Sequence, residues 1–229
     1  LCMCLVFRTC VLCVYCWFVS RNLAWCVLCL SECCLVYCVY GFVVVYILGR
    51  CKVCWVVNVL GYELTKECLK SDIQVVFILY GDICNIADIV DTVKQAGKMA
   101  LVHLDLINGL SAKDVAVDFI KKYTKADGII STKPALIKHA GEIGLTSVLR
   151  LFVIDSMAYE NIQKHVKGAR PDVIEVLPAL MPKVVKRVCR ISQIQVIAGG
   201  LVSDKEDVMS LLQAGVVSVS SKNKEIWFM

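Results

Sequence analysis

From residue 53 onward, short apolar runs alternate with stretches in which apolar residues recur every three or four positions. The short runs are rich in Val, Ile and Leu, which is typical of strands buried on both faces of a sheet. The intervening stretches have the period of amphipathic helices, and the pattern repeats about every 22 residues. It predicts strands at 53–60, 75–79, 99–104, 128–130, 147–154, 173–177, 196–198 and 216–219, and helices at 63–69, 86–95, 114–123, 135–143, 157–166, 182–190 and 204–214, with a last short helix after residue 223.

Eight strands separated by helices predict an α/β fold, a (β/α)8 TIM-like barrel whose last strand pairs with its first. We assign residues 53–229 to this barrel domain and residues 1–52 to a separate leader. The barrel domain has only 177 residues, whereas such barrels have about 200 at the lower end of their range. We therefore expect a compact barrel in which the helices are short or partly missing, or in which the first βα unit is incomplete.

The leader is hydrophobic and rich in cysteine, with twelve of the fifteen cysteines between Cys2 and Cys54. Three interpretations are open. It is translated upstream or out-of-frame sequence, because the chain starts at Leu and the prevailing residue types share thymine-rich codons. It is a membrane or signal anchor, because residues 33–49 are uncharged and are followed by basic residues. Alternatively, its C-x-x-C spacings hold a metal ion or disulfides. No function is assigned to the leader.

The net charge and the cysteines outside the leader exclude few classes of function. The net charge is +5 at pH 7, of which +3 falls in residues 1–60, so bulk charge gives little support for nucleic-acid binding by the barrel. Cys68, Cys84 and Cys189 lie among apolar neighbours. We predict that they are buried or semi-buried thiols without disulfides, in a reducing compartment such as the cytoplasm.

The last two predicted strands each end in a turn suited to binding an anion. Gly199 and Gly200 follow one strand and would let a ligand approach the backbone closely. Ser220, Ser221 and Asn223 follow the other and offer hydroxyls, an amide and backbone N–H groups. In (β/α)8 barrels the loops after strands seven and eight commonly hold phosphate. These five residues are the predicted phosphate corner, and the alternative is an ordinary βα loop followed by a C-terminal cap.

Polar residues at the other strand ends are expected to converge on the same face. His103 and Asp105 are two residues apart and would face the same side. Arg150 lies within an apolar run and needs a partner, either a bound anion or a barrel carboxylate such as Glu175. The full set of strand-end candidates is Asp82, His103, Asp105, Ser131, Lys133, Arg150, Asp155 and Glu175.

This mixture of carboxylates and cations suits a small polyol phosphate. A structural role for His103, or an ion pair within the barrel for Arg150, is the alternative interpretation. Catalysis is not required by any motif, but Lys133 at a strand end would serve either as a salt link or as a Schiff-base lysine. An isomerase, lyase or synthase with His103, Asp105 and Lys133 as its acid–base set is therefore the competing hypothesis.

Seven blocks of the barrel domain together resemble the glycerol-3-phosphate-responsive antiterminator family. They follow one another in the family's order and spacing across about residues 63–229. At the first strand the family usually has a Pro-containing apolar segment, whereas this chain has WVVNVL at Trp55–Leu60. The blocks are VVFILYGD at Val75–Asp82, VHLDLING at Val102–Gly109, DGIISTK at Asp127–Lys133, RLFVID at Arg150–Asp155, PDVIEVLP at Pro171–Pro178, IAGGL at Ile197–Leu201 and SVSSKNKEIW at Ser218–Trp227.

The resemblance implies a cytoplasmic barrel that senses glycerol 3-phosphate and binds leader mRNA of glycerol-utilisation operons, preventing premature termination. It implies no enzyme activity and no cofactor, and it leaves open a homo-oligomer. On this resemblance the phosphate corner would hold the ligand's phosphate. The rest of the ligand pocket would be lined by His103, Asp105, Lys133, Arg150 and Glu175.

Two basic clusters are candidates for the RNA-binding surface. Lys183, Lys186, Arg187 and Arg190 recur at helical spacing and would form one stripe on the sixth helix. Residues 121–125 hold the second cluster, Lys121, Lys122 and Lys125. The alternative for both is the solvated outer face of a barrel helix. No exposed aromatic residue is expected to be interleaved with either cluster as a base-stacking platform.

Overall fold

The computed structural model describes the backbone of residues 2–7, 10–17, 25–30, 34–39, 42–47 and 54–227, and side chains from residue 56 to residue 227. The chain divides into two compact units, Leu1–Val53 and Cys54–Met229.

In the first unit, the described segments are five strands joined in sequence order as an antiparallel sheet. The anchor predicted at residues 33–49 lies partly outside the described residues, and the side chains of the C-x-x-C pairs lie wholly outside them. Among the residues that the structure describes, no helix is both long and apolar enough to cross a bilayer. The strands are β1 (Cys2–Phe7), β2 (Cys10–Trp17), β3 (Trp25–Leu30), β4 (Cys34–Val39) and β5 (Phe42–Ile47).

The second unit is a closed barrel of eight parallel strands with helices between them, which confirms the predicted (β/α)8 fold. The strands are β6 (Cys54–Val59), β7 (Val75–Ile78), β8 (Met99–His103), β9 (Gly128–Ser131), β10 (Thr146–Phe152), β11 (Val173–Leu177), β12 (Gln195–Gly199) and β13 (Ser218–Ser221). The helices of this unit are α1 (Tyr62–Leu69), α2 (Ile86–Gln95), α3 (Asp114–Tyr123), α4 (Pro134–Glu142), α5 (Ser156–Ala169), α6 (Pro182–Ser192) and α7 (Lys205–Ala214).

Short helices, and not an incomplete first unit, account for the small size of the barrel. β6 pairs with β7 on one side and with β13 on the other, so the first strand closes the barrel. The helices are 8 to 14 residues long. β13 is followed in the described residues only by a 3-10 turn at Lys224–Ile226. α2 shows why the helices form, because its buried residues Ile86, Val90 and Val93 lie on one face.

The barrel interior is built from residues two apart on each strand, because side chains alternate between the two faces of a sheet. One buried cluster fills its centre. The next inward position towards the carboxyl end of a strand is occupied by Asn58 on β6, His103 on β8, Arg150 on β10 and Gly199 on β12. A polar layer therefore lies above the apolar cluster of Val56, Phe77, Leu101, Ile130, Val148 and Ile197.

Two predictions from the sequence need correction here. The last strand is Ser218–Ser221, two residues later than predicted, because its register is set by pairing with β12 and β6. Ser220 and Ser221 therefore belong to the strand and not to the turn. Cys84 is exposed, although it was predicted to be buried or semi-buried. It lies in the turn after β7, where its N–H donates to Asp82 Oδ1 at 2.8 Å.

Candidate functional site at the carboxyl end of the barrel

Asp105 joins the ends of β8 and β9. It follows β8 in a 3-10 turn at Leu104–Leu106, and its carboxylate accepts hydrogen bonds from the N–H of Thr132 at 2.7 Å and from Ser131 Oγ at 3.1 Å. Lys133 Nζ lies 3.3 Å from Asp105 Oδ1. Burial raises the pKa of Asp105, but the bonds from Thr132, Lys133 and Ser131 outweigh burial and hold the pKa below its usual value. Asp105 is thus an ionised acceptor fixed at the barrel mouth.

His103 is a buried and neutral imidazole. Burial and the nearby charge of Arg150 lower its pKa to about 4, against the opposing effect of Asp105. Its Nδ1 is 3.9 Å from Asp105 Oδ2, which is too far for a hydrogen bond. A neutral imidazole with an open nitrogen can accept a hydrogen bond from a hydroxyl.

Arg150, Glu175 and Ser220 form one buried network across three strands. Arg150 Nε donates to Glu175 Oε2 at 2.6 Å, and Ser220 Oγ donates to Glu175 Oε1 at 2.6 Å. The Arg150 and Glu175 side chains are only 6% and 0% exposed, so their charges neutralise each other within the barrel wall. Of the two partners predicted for Arg150, Glu175 is therefore the one that the fold supplies.

Gly199 is required by this network, because the network leaves no space for a side chain there. A Cβ on Gly199 would lie 2.0 Å from Ser220 Oγ and 3.0 Å from Glu175 Oε1. The absence of a side chain is thus what lets β13 bring Ser220 to Glu175. The expectation that Gly199 lets a ligand approach the backbone stays a prediction.

The two loops that form the predicted phosphate corner, after β12 and after β13, lie side by side. Gly200 and Leu201 have successive positive φ angles of 81° and 65°. Asn223 Nδ2 donates to the carbonyl of Ser203 at 3.0 Å and so ties the loop after β13 to the loop after β12. Ser221 Oγ accepts from the N–H of Asn223 at 3.1 Å. The side chains of Ser221 and Asn223 therefore stabilise the corner by bonds within the protein.

Two of the predicted strand-end candidates have local roles. Asp82 accepts hydrogen bonds from the N–H of Cys84 and from both the N–H and the side-chain amide of Asn85, which shapes the turn before α2. Asp155 is the N-cap of α5 and accepts from the N–H of Ala158 at 2.7 Å. Neither joins the cluster of polar residues at the barrel mouth.

Asn58 is a candidate site residue that the sequence analysis missed. Three buried side-chain atoms in the described part of the chain have no hydrogen-bond partner: Asn58 Oδ1, His103 Nδ1 and Arg150 Nη2. A buried polar atom without a partner is costly and so needs an explanation. The signal was present in the sequence, because Asn58 interrupts the apolar run of β6.

The two basic clusters differ in their surroundings. Lys183, Lys186, Arg187 and Arg190 are exposed on α6, opposite its buried valines, and have no carboxylate partner within residues 56–227. In the second cluster Lys125 pairs with Asp91 at 2.8 Å, and Lys122 lies 5.1 Å from the centre of the Tyr123 ring. Tyr123 is 58% exposed, so the expectation that no exposed aromatic is interleaved there is wrong.

The chain matches one family model and is similar to a protein of known sequence. A family model described as glycerol-3-phosphate responsive antiterminator matches residues 56–227. The protein YgcP of Escherichia coli strain K12 is 45% identical over 159 residues, which are 69% of this chain and 83% of that protein.

Two solved structures also resemble the barrel. The glycerol uptake operon antiterminator regulatory protein from Listeria monocytogenes has a TM-score of 0.74 at 31% identity, covering 78% of this chain and 97% of that chain. A glycerol uptake operon antiterminator-related protein from Thermotoga maritima has a TM-score of 0.68 at 33% identity, covering 76% and 98%. Because the family model includes residues of all eight barrel strands and matches three quarters of the sequence, the chain belongs to the glycerol-3-phosphate responsive antiterminator family.

Proposed function

We propose that this protein is a cytoplasmic transcription antiterminator that binds glycerol 3-phosphate and, in response, binds leader mRNA of glycerol-utilisation operons. Bound to the leader, it prevents premature termination. The observation that carries the proposal is family membership over residues 56–227, a span that contains every predicted ligand-site and RNA-site residue. The names of the two related structures, both glycerol uptake operon antiterminator proteins, support the same role.

The ligand's phosphate is assigned to the corner formed by the loops after β12 and β13. Gly200 and Leu201 both have positive φ angles, so the chain turns there, and backbone N–H groups in turns are suited to binding an anion. We expect these main-chain groups to be the donors, since the side chains of Ser221 and Asn223 already bond within the protein. We assign five side chains to the rest of the pocket, because their charged and hydrogen-bonding groups complement the hydroxyls and the charge of the ligand. They are His103, Asp105, Lys133, Arg150 and Glu175.

The RNA is assigned to the basic stripe on α6, defined as Lys183, Lys186, Arg187 and Arg190. Its four cations are exposed and unpaired within residues 56–227, whereas in the cluster at residues 121–125 Lys125 is paired with Asp91. Free cations bind phosphate groups more strongly than cations that already have a carboxylate partner. The ligand would act by favouring one arrangement of the loops or of an oligomer that binds RNA with higher affinity.

A filter-binding titration with leader RNA, with and without glycerol 3-phosphate, tests this function. We expect a gain of about 5- to 150-fold in RNA affinity on adding the ligand, the usual range of such coupling. Inorganic phosphate at the same concentration is the matched control for a non-specific anion effect. An RNA affinity that does not depend on glycerol 3-phosphate would contradict the proposal.

An isomerase or lyase remains the second candidate because Lys133 Nζ lies 3.3 Å from Asp105 at the barrel mouth. That arrangement would support proton transfer or Schiff-base chemistry on a small sugar phosphate. Turnover of a triose or ribose phosphate that is lost in Lys133→Ala would establish it. Unchanged substrate in the presence of the wild-type protein would dismiss it.

A further inference from the structure

The three unpartnered buried atoms belong to one layer of the barrel. Asn58, His103 and Arg150 lie on β6, β8 and β10, which are alternate strands. In (β/α)8 barrels each interior layer is built from the side chains of alternate strands. Each of the three residues follows by two positions a member of the buried apolar cluster, namely Val56, Leu101 or Val148. Their side chains therefore share one face and one level, directly above the apolar centre.

The fourth strand of this set, β12, places Gly199 at the equivalent position, two residues after Ile197. The apolar cluster fills the centre of the barrel with packed side chains. The layer above it consists of three polar side chains and one glycine, so it lacks such apolar packing. Gly199 and the next residue along the chain, Gly200, both belong to the predicted phosphate corner. The polar layer and the phosphate corner are thus continuous through β12.

The three unpartnered atoms include both hydrogen-bond acceptors and a hydrogen-bond donor. Asn58 Oδ1 is an acceptor, and Arg150 Nη2 is a charged donor whose guanidinium already uses Nε for Glu175. His103 is neutral at physiological pH because its pKa is about 4, so its ring keeps one acceptor nitrogen. A hydroxyl both donates and accepts, and two adjacent hydroxyls can satisfy two acceptors and one donor at once.

We propose that Asn58, His103 and Arg150 form a hydroxyl-recognition layer that selects a phosphorylated polyol with adjacent hydroxyls. This inference rests on the proposed function, because it takes glycerol 3-phosphate as the ligand. It adds Asn58 to the site and makes the middle and terminal hydroxyls, and not the phosphate, the groups that decide which ligand binds. Analogues that lack a hydroxyl leave a buried polar atom unpaired and are rejected.

The proposed role of Asn58 also predicts the stability of the unliganded protein. Replacing a residue that packs within the fold or bonds within it lowers the stability of the protein. Asn58 Oδ1 has no bond within the fold, so Asn58→Leu should unfold at the same temperature as the wild type or at a higher one. A marked fall in the unfolding temperature of Asn58→Leu would show a structural role and overturn the assignment.

Calorimetric titration with three ligands tests selectivity directly. The ligands are glycerol 3-phosphate, 1,3-propanediol phosphate, which lacks the middle hydroxyl, and inorganic phosphate. We expect the wild type to prefer glycerol 3-phosphate to the deoxy analogue by about 10- to 100-fold. In the double variant Asn58→Ala/His103→Ala this ratio should fall at least tenfold, with the affinity for inorganic phosphate unchanged. Asn108→Ala is the matched control, since Asn108 is exposed at the same end of the barrel and should keep the wild-type ratio.

The outcomes separate this inference from the function on which it rests. A double variant that binds glycerol 3-phosphate and keeps the wild-type ratio would overturn the hydroxyl-recognition layer alone. A wild-type protein that binds neither glycerol 3-phosphate nor the deoxy analogue would overturn the proposed function, and the layer with it. Loss of selectivity in the double variant, with phosphate binding intact, supports both.

Discussion

His103 shows how burial fixes the state of one residue and makes stability depend on pH. In the unfolded chain a histidine takes up its proton near pH 6.5, whereas folded His103 does so only at about pH 4. Between these values the unfolded state binds more protons, so the free energy of unfolding falls as the pH is lowered from 6.5 to 4. The full effect is about 3 kcal/mol. Thermal unfolding across this range should show a smaller loss in His103→Gln than in the wild type.

His139 provides the control of opposite sign. The hydrogen bond and charge of Asp118 raise the pKa of His139, so its contribution to stability is present below the unfolded pKa and is lost as the pH rises. His139→Gln should therefore not reduce the loss of stability on acidification. An equal pH dependence in wild type and His103→Gln would show that His103 is not the titrating group.

At Gly199 the space beside Ser220 is too small for a side chain. We predict that Gly199→Ala lowers the free energy of unfolding by about 1–3 kcal/mol, because the new Cβ would lie 2.0 Å from Ser220 Oγ. Adding Ser220→Ala removes the clashing atom and should recover part of the loss. Urea unfolding of the two single variants and the double variant measures this, and strictly additive effects would contradict it.

At the scale of elements, the Arg150–Glu175 pair links β10 to β11 inside the wall of the barrel. Arg150→Met leaves a buried carboxylate without its cation and should cost about 3–5 kcal/mol of stability. The double variant Arg150→Met/Glu175→Gln should cost less than the sum of the single variants, because neither charge remains uncompensated. The surface pair Lys125–Asp91 is the comparison, and its loss should cost less than about 1 kcal/mol.

The basic stripe on α6 makes a prediction that does not involve stability. Lys186→Ala/Arg187→Ala should weaken leader RNA binding and reduce the slope of log affinity against log salt by about 1.4–1.8, as expected for two lost phosphate contacts. Thermal unfolding should be unchanged, because both side chains are exposed and unpaired within residues 56–227. Lys121→Ala/Lys122→Ala is the matched pair. A larger effect from this second pair would move the RNA site to α3, where Tyr123 is exposed.

At the scale of the whole molecule, closure through β6 holds the site together. β6 joins β13 to β7 and carries Asn58 into the polar layer. A chain of residues 53–229 should unfold cooperatively and gain thermal stability from glycerol 3-phosphate, as we expect the full chain to do. A chain of residues 61–229, which lacks β6, should lose both properties because two sheet edges are left unpaired. Cooperative, ligand-responsive unfolding of the shorter chain would contradict this role of β6.

Element prediction succeeded where one strong local signal was present. α2, α3 and β11 have the predicted bounds, since their apolar period or their flanking residues mark both ends. The last strand was placed two residues early, because Val216–Val219 is an apolar run whether or not it is paired. Its true bounds depend on register with β12 and β6, which the local pattern does not contain.

The sequence by itself determined the eight strands, the helices between them and the polar residues at the strand ends, because these follow from local period and composition. Only the tertiary structure decided which of those polar residues meet. The register of neighbouring strands brings Arg150 and Ser220 within hydrogen-bonding distance of Glu175. Asn58 joins His103 and Arg150 because closure makes alternate strands share a layer. The two hydrogen bonds join residues 25 and 45 positions apart, and no local pattern encodes so long a separation.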